Sequence, residues 1–125
     1  MGNRAIIQIR HDRNPLAEPV QLYVHWFDQF QFNRILDKAI RSGVRSDCLA
    51  SAIVAEYVAE DRKANHKVFS RSSGPSFTTV RIESTTVVHA DLDVPPIIIA
   101  ASKDETVVTY ANDPEHPEIF PACRP

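Results

Sequence analysis

Glycine is scarce in this sequence, with three in 125 residues. A loop that cradles phosphate needs several glycines at fixed spacing, so a nucleotide loop of that kind is excluded. Cysteine is scarcer still: Cys48 and Cys123 stand far apart and give neither a C-x-x-C nor a zinc spacing. No apolar run approaches the roughly 18 residues of a membrane-spanning helix, so no membrane segment is expected. Gln8 and Arg10 interrupt the apolar residues behind Met1, and no signal peptide is read there. An excess of one charge is missing too, since 14 Lys and Arg face 16 Asp and Glu for a net charge of −2. That balance exerts no long-range pull on nucleic acid or an acidic membrane. Together these absences predict a cytoplasmic protein with reduced thiols.

What is present has ordinary globular proportions, 43% hydrophobic and 24% charged. The length suits one domain with a real core. In residues 3–10, Ala5, Ile7 and Ile9 alternate with Arg4, Ile6, Gln8 and Arg10, which predicts a strand. Residues 11–19 carry Asp12, Asn14, Pro15 and Pro19 and read as a loop. Residues 20–26 alternate again, with Leu22, Val24 and Trp26 on the predicted core face and Gln21, Tyr23 and His25 on the other.

The strongest local signal is a helix over 28–43. Asp28 can accept amide protons of the first turn, and Gln31, three residues on, can reach back to complete a capping box. Phe27 and Phe32 fit a hydrophobic staple across that cap. Phe32, Ile35, Leu36, Ala39 and Ile40 form one apolar row at helical spacing. Gly43 suits the left-handed residue past the end, followed by apolar Val44. A second helix should start at Ser46 or Asp47 and end near Asn65, with Leu49, Ile53 and Tyr57 in one row and Ala50, Val54 and Val58 beside it. The short link between them predicts a helical hairpin.

Strands are expected at 67–70, 77–82, 85–94, 97–101 and 106–110. Pro95 and Pro96 stop the third of these, and Ser102 to Glu105 form the loop of a hairpin. Segregated strands and helices predict an α+β domain over 1–112: an antiparallel sheet of six to seven strands with the two-helix hairpin on one face. Residues 113–125 carry Pro114, Pro117, Pro121 and Pro125 and predict an extended, irregular tail.

Met1 to Ile6 as an opening, with Tyr23, Val24, His25 and Trp26 in the second strand, resembles a loose group of small uncharacterised bacterial and phage proteins. Where that group has a polar, Gly-rich turn after the Trp, this chain has Phe27 and Asp28. The resemblance implies a phage or prophage accessory protein and carries no activity with it.

Four places could carry chemistry. On a strand, His89, Asp91 and Asp93 would share one face at successive spacings of about 7 Å. An imidazole and two carboxylates suit a divalent ion, the one cofactor these residues would admit, although a further ligand would have to come from elsewhere. The plainer reading is the solvent face of an amphipathic strand. His25 beside Tyr23 could act as acid or base, or make one hydrogen bond on the sheet surface. Arg71 in the Ser- and Gly-containing loop, with Arg81 nearby in sequence, could bind an anion or form a basic patch. The acidic, Pro-punctuated run from Asp113 to Glu118 could serve as a recognition tail for a basic partner, or simply be solvated.

The leading expectation is therefore a small protein-binding accessory protein, inhibitory toward a host or defence protein if the phage setting holds. A protein partner is expected, and sheet edges would also allow a homodimer. The alternative is a small metal-dependent enzyme or metal binder using His89, Asp91 and Asp93. Nucleic-acid binding ranks third, given the overall acidity.

Overall fold

The computed structural model describes residues 3–11, 19–68 and 80–124. Side chains of residue 11 and residues 64–68 are outside that description. The elements in chain order are β1 (Ala5–His11), β2 (Val20–Val24), α1 (Gln29–Arg41), a 3-10 turn (Ser46–Cys48), α2 (Leu49–Val68), β3 (Val80–Glu83), β4 (Ile97–Ala101), β5 (Thr106–Tyr110) and β6 (Glu118–Phe120). The fold is α+β. Its six strands form one sheet in the order β3-β2-β1-β4-β5-β6.

The sheet is mixed rather than antiparallel throughout, because β1 and β4 run parallel with Ile7 opposite Ile97 and Ile9 opposite Ile99. Both are central strands. A central parallel pair is covered on both sides, which fits isoleucine on both faces of each strand. Ala5, Ile7, Ile9, Leu22, Val24, Ile97 and Ile99 point to the helical side and are buried in one cluster with Phe32, Ile35, Leu36, Leu49, Ile53 and Tyr57.

α1 forms where its local signals place it. Asp28 Oδ2 accepts from the Gln31 amide at 3.3 Å, and the Phe27 and Phe32 rings lie 5.5 Å apart across the cap. Gly43 has φ +81°, a conformation that costs a glycine little and other residues more. Its amide donates to the Ile40 carbonyl at 3.2 Å, closing the helix end. Arg34 ties α1 to α2 through two bonds to Glu60, at 2.8 and 3.2 Å. Burial raises the Glu60 carboxyl, but the two bonds from Arg34 and its charge, with a smaller contribution from Gln31, outweigh it and hold the group below its ordinary value. The Gln31 side chain makes no hydrogen bond back to the Asp28 amide, so of the expected capping box only the Asp28 half is formed.

Several expectations need correction. α2 continues through Val68, so the strand expected at 67–70 is helical over its first two residues; the remainder lies outside the described residues. Residues 85–94 form no strand. They belong to a connection, residues 84–96, that leaves edge strand β3 and reaches central strand β4. That journey spans three strand spacings, about 14 Å. The tail is not wholly irregular: β6 pairs with β5, Cys123 is buried, and the Arg124 amide donates to the Val44 carbonyl at 2.9 Å. Trp26, expected in the core, is 43% exposed, while Phe27 takes the buried place. Cys48 is exposed and both cysteines are free. Among the described residues, no helix is long and apolar enough to cross a membrane.

Phe32 and Phe30 differ only in which side of α1 they occupy: Phe32 is fully buried and Phe30 is 82% exposed. Phe32→Ala should therefore cost about 3–5 kcal/mol by leaving a cavity and breaking the staple. Phe30→Ala should stay within about 0.5 kcal/mol of the parent. Urea unfolding followed by circular dichroism measures both; equal costs would contradict this account of the helix.

Candidate functional site

Strand alternation puts Gln21 and Tyr23 of β2 on the side of the sheet away from the helices. Register then brings β3 beside them, with Tyr23 opposite Arg81 and Gln21 opposite Glu83. The connection after β3 folds back across this face. It lays the His89 ring on Tyr23, with centroids 4.7 Å apart and planes 20° from parallel. His89 Nε2 bonds Glu83 Oε1 at 2.5 Å. On the other flank, Tyr23 Oη and His25 Nδ1 share a hydrogen at 2.8 Å. The Arg81 guanidinium sits 4.4 Å from the Tyr23 ring centre. Tyr23, His25, Arg81 and His89 are thus brought to one place.

Glu83 joins them. Its Oε1 accepts from Gln21 Nε2 at 3.0 Å and its Oε2 from Arg81 Nε at 3.2 Å, in addition to His89. Burial raises the Glu83 carboxyl, but these three bonds more than offset it and hold the group below its ordinary value. Gln21 also donates to the Val87 carbonyl at 3.1 Å. The network ties the connection to the sheet. A carboxylate-oriented imidazole is the geometry of acid–base chemistry, yet here every bond of Glu83 points to a neighbouring side chain of the same network.

The proposed metal ligands are separated. Asp93 Oδ2 accepts from the Arg4 amide at 2.9 Å and from Arg4 Nε at 3.3 Å, while Asp91 is exposed. The Asp93 and Val94 amides both donate to the Arg4 carbonyl at 3.1 Å, fastening this end of the connection to the start of β1. With no strand over 85–94, His89, Asp91 and Asp93 lose the common face that made them a ligand set. Among the described residues, no group of three His, Cys, Asp or Glu side chains is placed to hold a metal ion. Arg71 lies outside the described residues.

Sequence reasoning missed Glu83, Gln21 and Arg4. Each acquires its role through strand register or through the return of the connection, and neither leaves a local signature. It also missed the surface at the start of α1. There the chain passes from Trp26, 43% exposed, through the buried Phe27 to Phe30, 82% exposed. Beside it opens a cleft of about 390 Å³, whose lining includes Asn3, Asp28, Gln29, Tyr110, Asp113 and Glu118. Gln29 Nε2 donates to Glu118 Oε1 at 3.0 Å, so the tail forms one wall against the helix. The Tyr110 hydroxyl is sealed from solvent and has no hydrogen-bond partner among the described residues. Burial, with Glu118 nearby, pushes that phenol up to about 12.

The Glu83 network has a pH signature. A carboxyl held low in the folded state contributes stability that is complete above its unfolded value, near 4.5, and is lost as pH falls through the lower folded value. Wild-type protein should therefore lose more Tm than Glu83→Gln between pH 6 and pH 3, as read by differential scanning calorimetry. Parallel acid profiles for the two proteins would show that Glu83 does not carry this linkage. No family model matches this chain, and neither a curated protein nor a solved structure matches it.

Proposed function

We propose that this chain is a small protein-binding accessory protein that docks its partner on the surface at the start of α1. The observation that carries this reading is Phe30. It is 82% exposed on a helix whose remaining apolar row is buried, and it adds nothing to the core. Trp26, four residues earlier, is 43% exposed and packs edge-on against His25. Large aromatic side chains are the usual anchors of protein interfaces, because each covers much area at little conformational cost. A well-capped helix start holds the backbone of Phe30 in a fixed position before any partner arrives, which limits the ordering cost of association.

The phage or prophage setting implied by the Met1–Ile6 opening and the Tyr23–Trp26 strand supports a narrower form of the proposal. In that setting the partner is a host or defence protein and docking inhibits it. The metal-dependent alternative is less well supported, since His89 and Asp93 would have to leave Glu83 and Arg4 to meet on an ion. Nucleic-acid binding gains no support from Arg81, whose guanidinium is engaged by Glu83 and Tyr23.

A photo-crosslinking residue placed at position 30, and separately at exposed Ala59 on α2, tests the docking surface in cells that express the chain. Position 30 should give a discrete protein adduct and position 59 should not. Phe30→Asp should reduce recovery of that same partner by about tenfold or more, equivalent to at least 1.4 kcal/mol of binding, with its circular dichroism spectrum unchanged. Adducts of equal yield at both positions, or none at position 30, would remove the basis for this reading.

A further inference from the structure

The two edges of the sheet are not alike. β6 is three residues between Pro117 and Pro121, and a proline cannot donate to an added strand. β3 holds no proline and ends the sheet on its other side. Its residues are Val80, Arg81, Ile82 and Glu83. Register with β2 puts Ile82 opposite Leu22 on the helical face, and Arg81 and Glu83 on the other face. Ile82 is nevertheless 49% exposed. α2 packs against β3. A rotation of about 100° per residue sets Val58 across α2 from Glu60, the residue that binds α1 through Arg34. Val58 therefore lies on the flank of α2 toward the β3 edge, where it is 42% exposed. An edge strand with apolar side chains beside it is a template for pairing with another chain.

We infer that β3 pairs antiparallel with β3 of a second copy of this chain, in a register centred on Ile82, joining the two sheets of a homodimer into one. The charges of the strand select both the partner and the register. A two-fold axis perpendicular to the sheet keeps the helices of both copies on one face, so residues of the same face must stand opposite one another. Centring the pair on Arg81 sets two guanidiniums opposite each other, and centring it on Glu83 sets two carboxylates opposite each other; both arrangements are destabilising. Centring it on Ile82 places each Arg81 opposite Glu83 of the other copy and Ile82 opposite its own counterpart. Arg81 can make that contact while keeping its present one, since of its five donors only Nε meets Glu83 within the chain, at 3.2 Å. Glu83 Oε2 accepts only that bond among the described residues, while Oε1 takes Gln21 and His89. Ile82 and Val58 of one copy would cover those of the other. Four residues of strand make few bonds, so the dimer belongs with small, reversible interfaces. The contact is independent of docking at Phe30. Gln29, beside Phe30, bonds Glu118 on the opposite edge of the sheet, so the dimer leaves both Phe30 surfaces free.

Sedimentation velocity of the full chain tests the association. The mean mass should rise with concentration through the micromolar range, from 14.1 kDa toward twice that value, and the rise should weaken with added salt. Ile82→Lys puts a charge on the pairing edge at a half-exposed position. It should keep the circular dichroism spectrum of the parent and sediment as a monomer at every concentration. Register is tested separately in a Cys48→Ser background, which removes the exposed native thiol. In the inferred pairing the two Ile82 Cα atoms stand about 5 Å apart, within disulfide reach. The two Val80 Cα atoms, offset by four residues, stand about 13 Å apart and beyond it. Ile82→Cys should therefore form a covalent dimer in oxidised glutathione at least about tenfold faster than Val80→Cys. A chain that stays monomeric at all concentrations, a dimer undiminished by Ile82→Lys, or equal crosslinking at the two positions overturns the inference. If Ile82→Lys fails to fold, the crosslinking comparison decides alone.

Discussion

β1 and β4 lie side by side and run in the same direction, and a parallel pair cannot be closed by a tight turn. That constraint organises the rest of the molecule. The chain leaves β1 for β2 on one side, passes through both helices, and returns on β3 at the far edge. To reach its place beside β1, it must then cross back over β2 and β1. The helices already occupy one face of the sheet, so the crossing runs over the other. A layer of irregular chain therefore lies where a simple antiparallel meander would leave an open sheet face.

Irregular chain lying on a sheet has no ladder of backbone bonds to hold it, so side chains must supplement the few backbone bonds it makes, here those of Asp93 and Val94 to Arg4. Glu83 takes that role at the near end, accepting from Gln21, Arg81 and His89, and Arg4 takes it at the far end through Asp93. Glu83 is fixed on β3 by register, and His89 reaches it only because the connection folds back. The cluster of Tyr23, His25, Arg81 and His89 that looks like chemistry is in large part the fastening of this crossing. The same bonds that hold the connection down also occupy the groups that a metal or a substrate would need.

α1 was legible in the sequence because its determinants are local: Asp28, the Phe27–Phe32 staple and Gly43 each act on the chain within a few residues of themselves. The alternation over 85–94 was equally visible and misled. Thr86, Val88, Ala90, Leu92 and Val94 suggest an apolar face turned inward, yet Val88 is 87% exposed and His89 is the side chain laid on the sheet. A polar side chain went inward because Glu83 and Tyr23 offered it a hydrogen bond and a ring to stack on. Those partners are set by β2–β3 register, which the sequence of the connection does not contain. β6 escaped notice for a related reason. Three residues between prolines carry little periodic signal, and Glu118–Phe120 becomes a strand only because β5 supplies an edge to pair with.

The start of α1 joins the two kinds of determinant. Asp28 and the phenylalanine staple fix the helix entry using one side of the chain, which releases Phe30 on the other side from any folding duty. Gln29 then bonds Glu118, so the tail that reads as a solvated acidic run becomes a wall facing that helix. An acidic tail alone would attract basic partners without orienting them, since a flexible charge fixes no geometry. Held by β6 against α1, two of its carboxylates, Asp113 and Glu118, instead stand at set positions in the lining of the cleft.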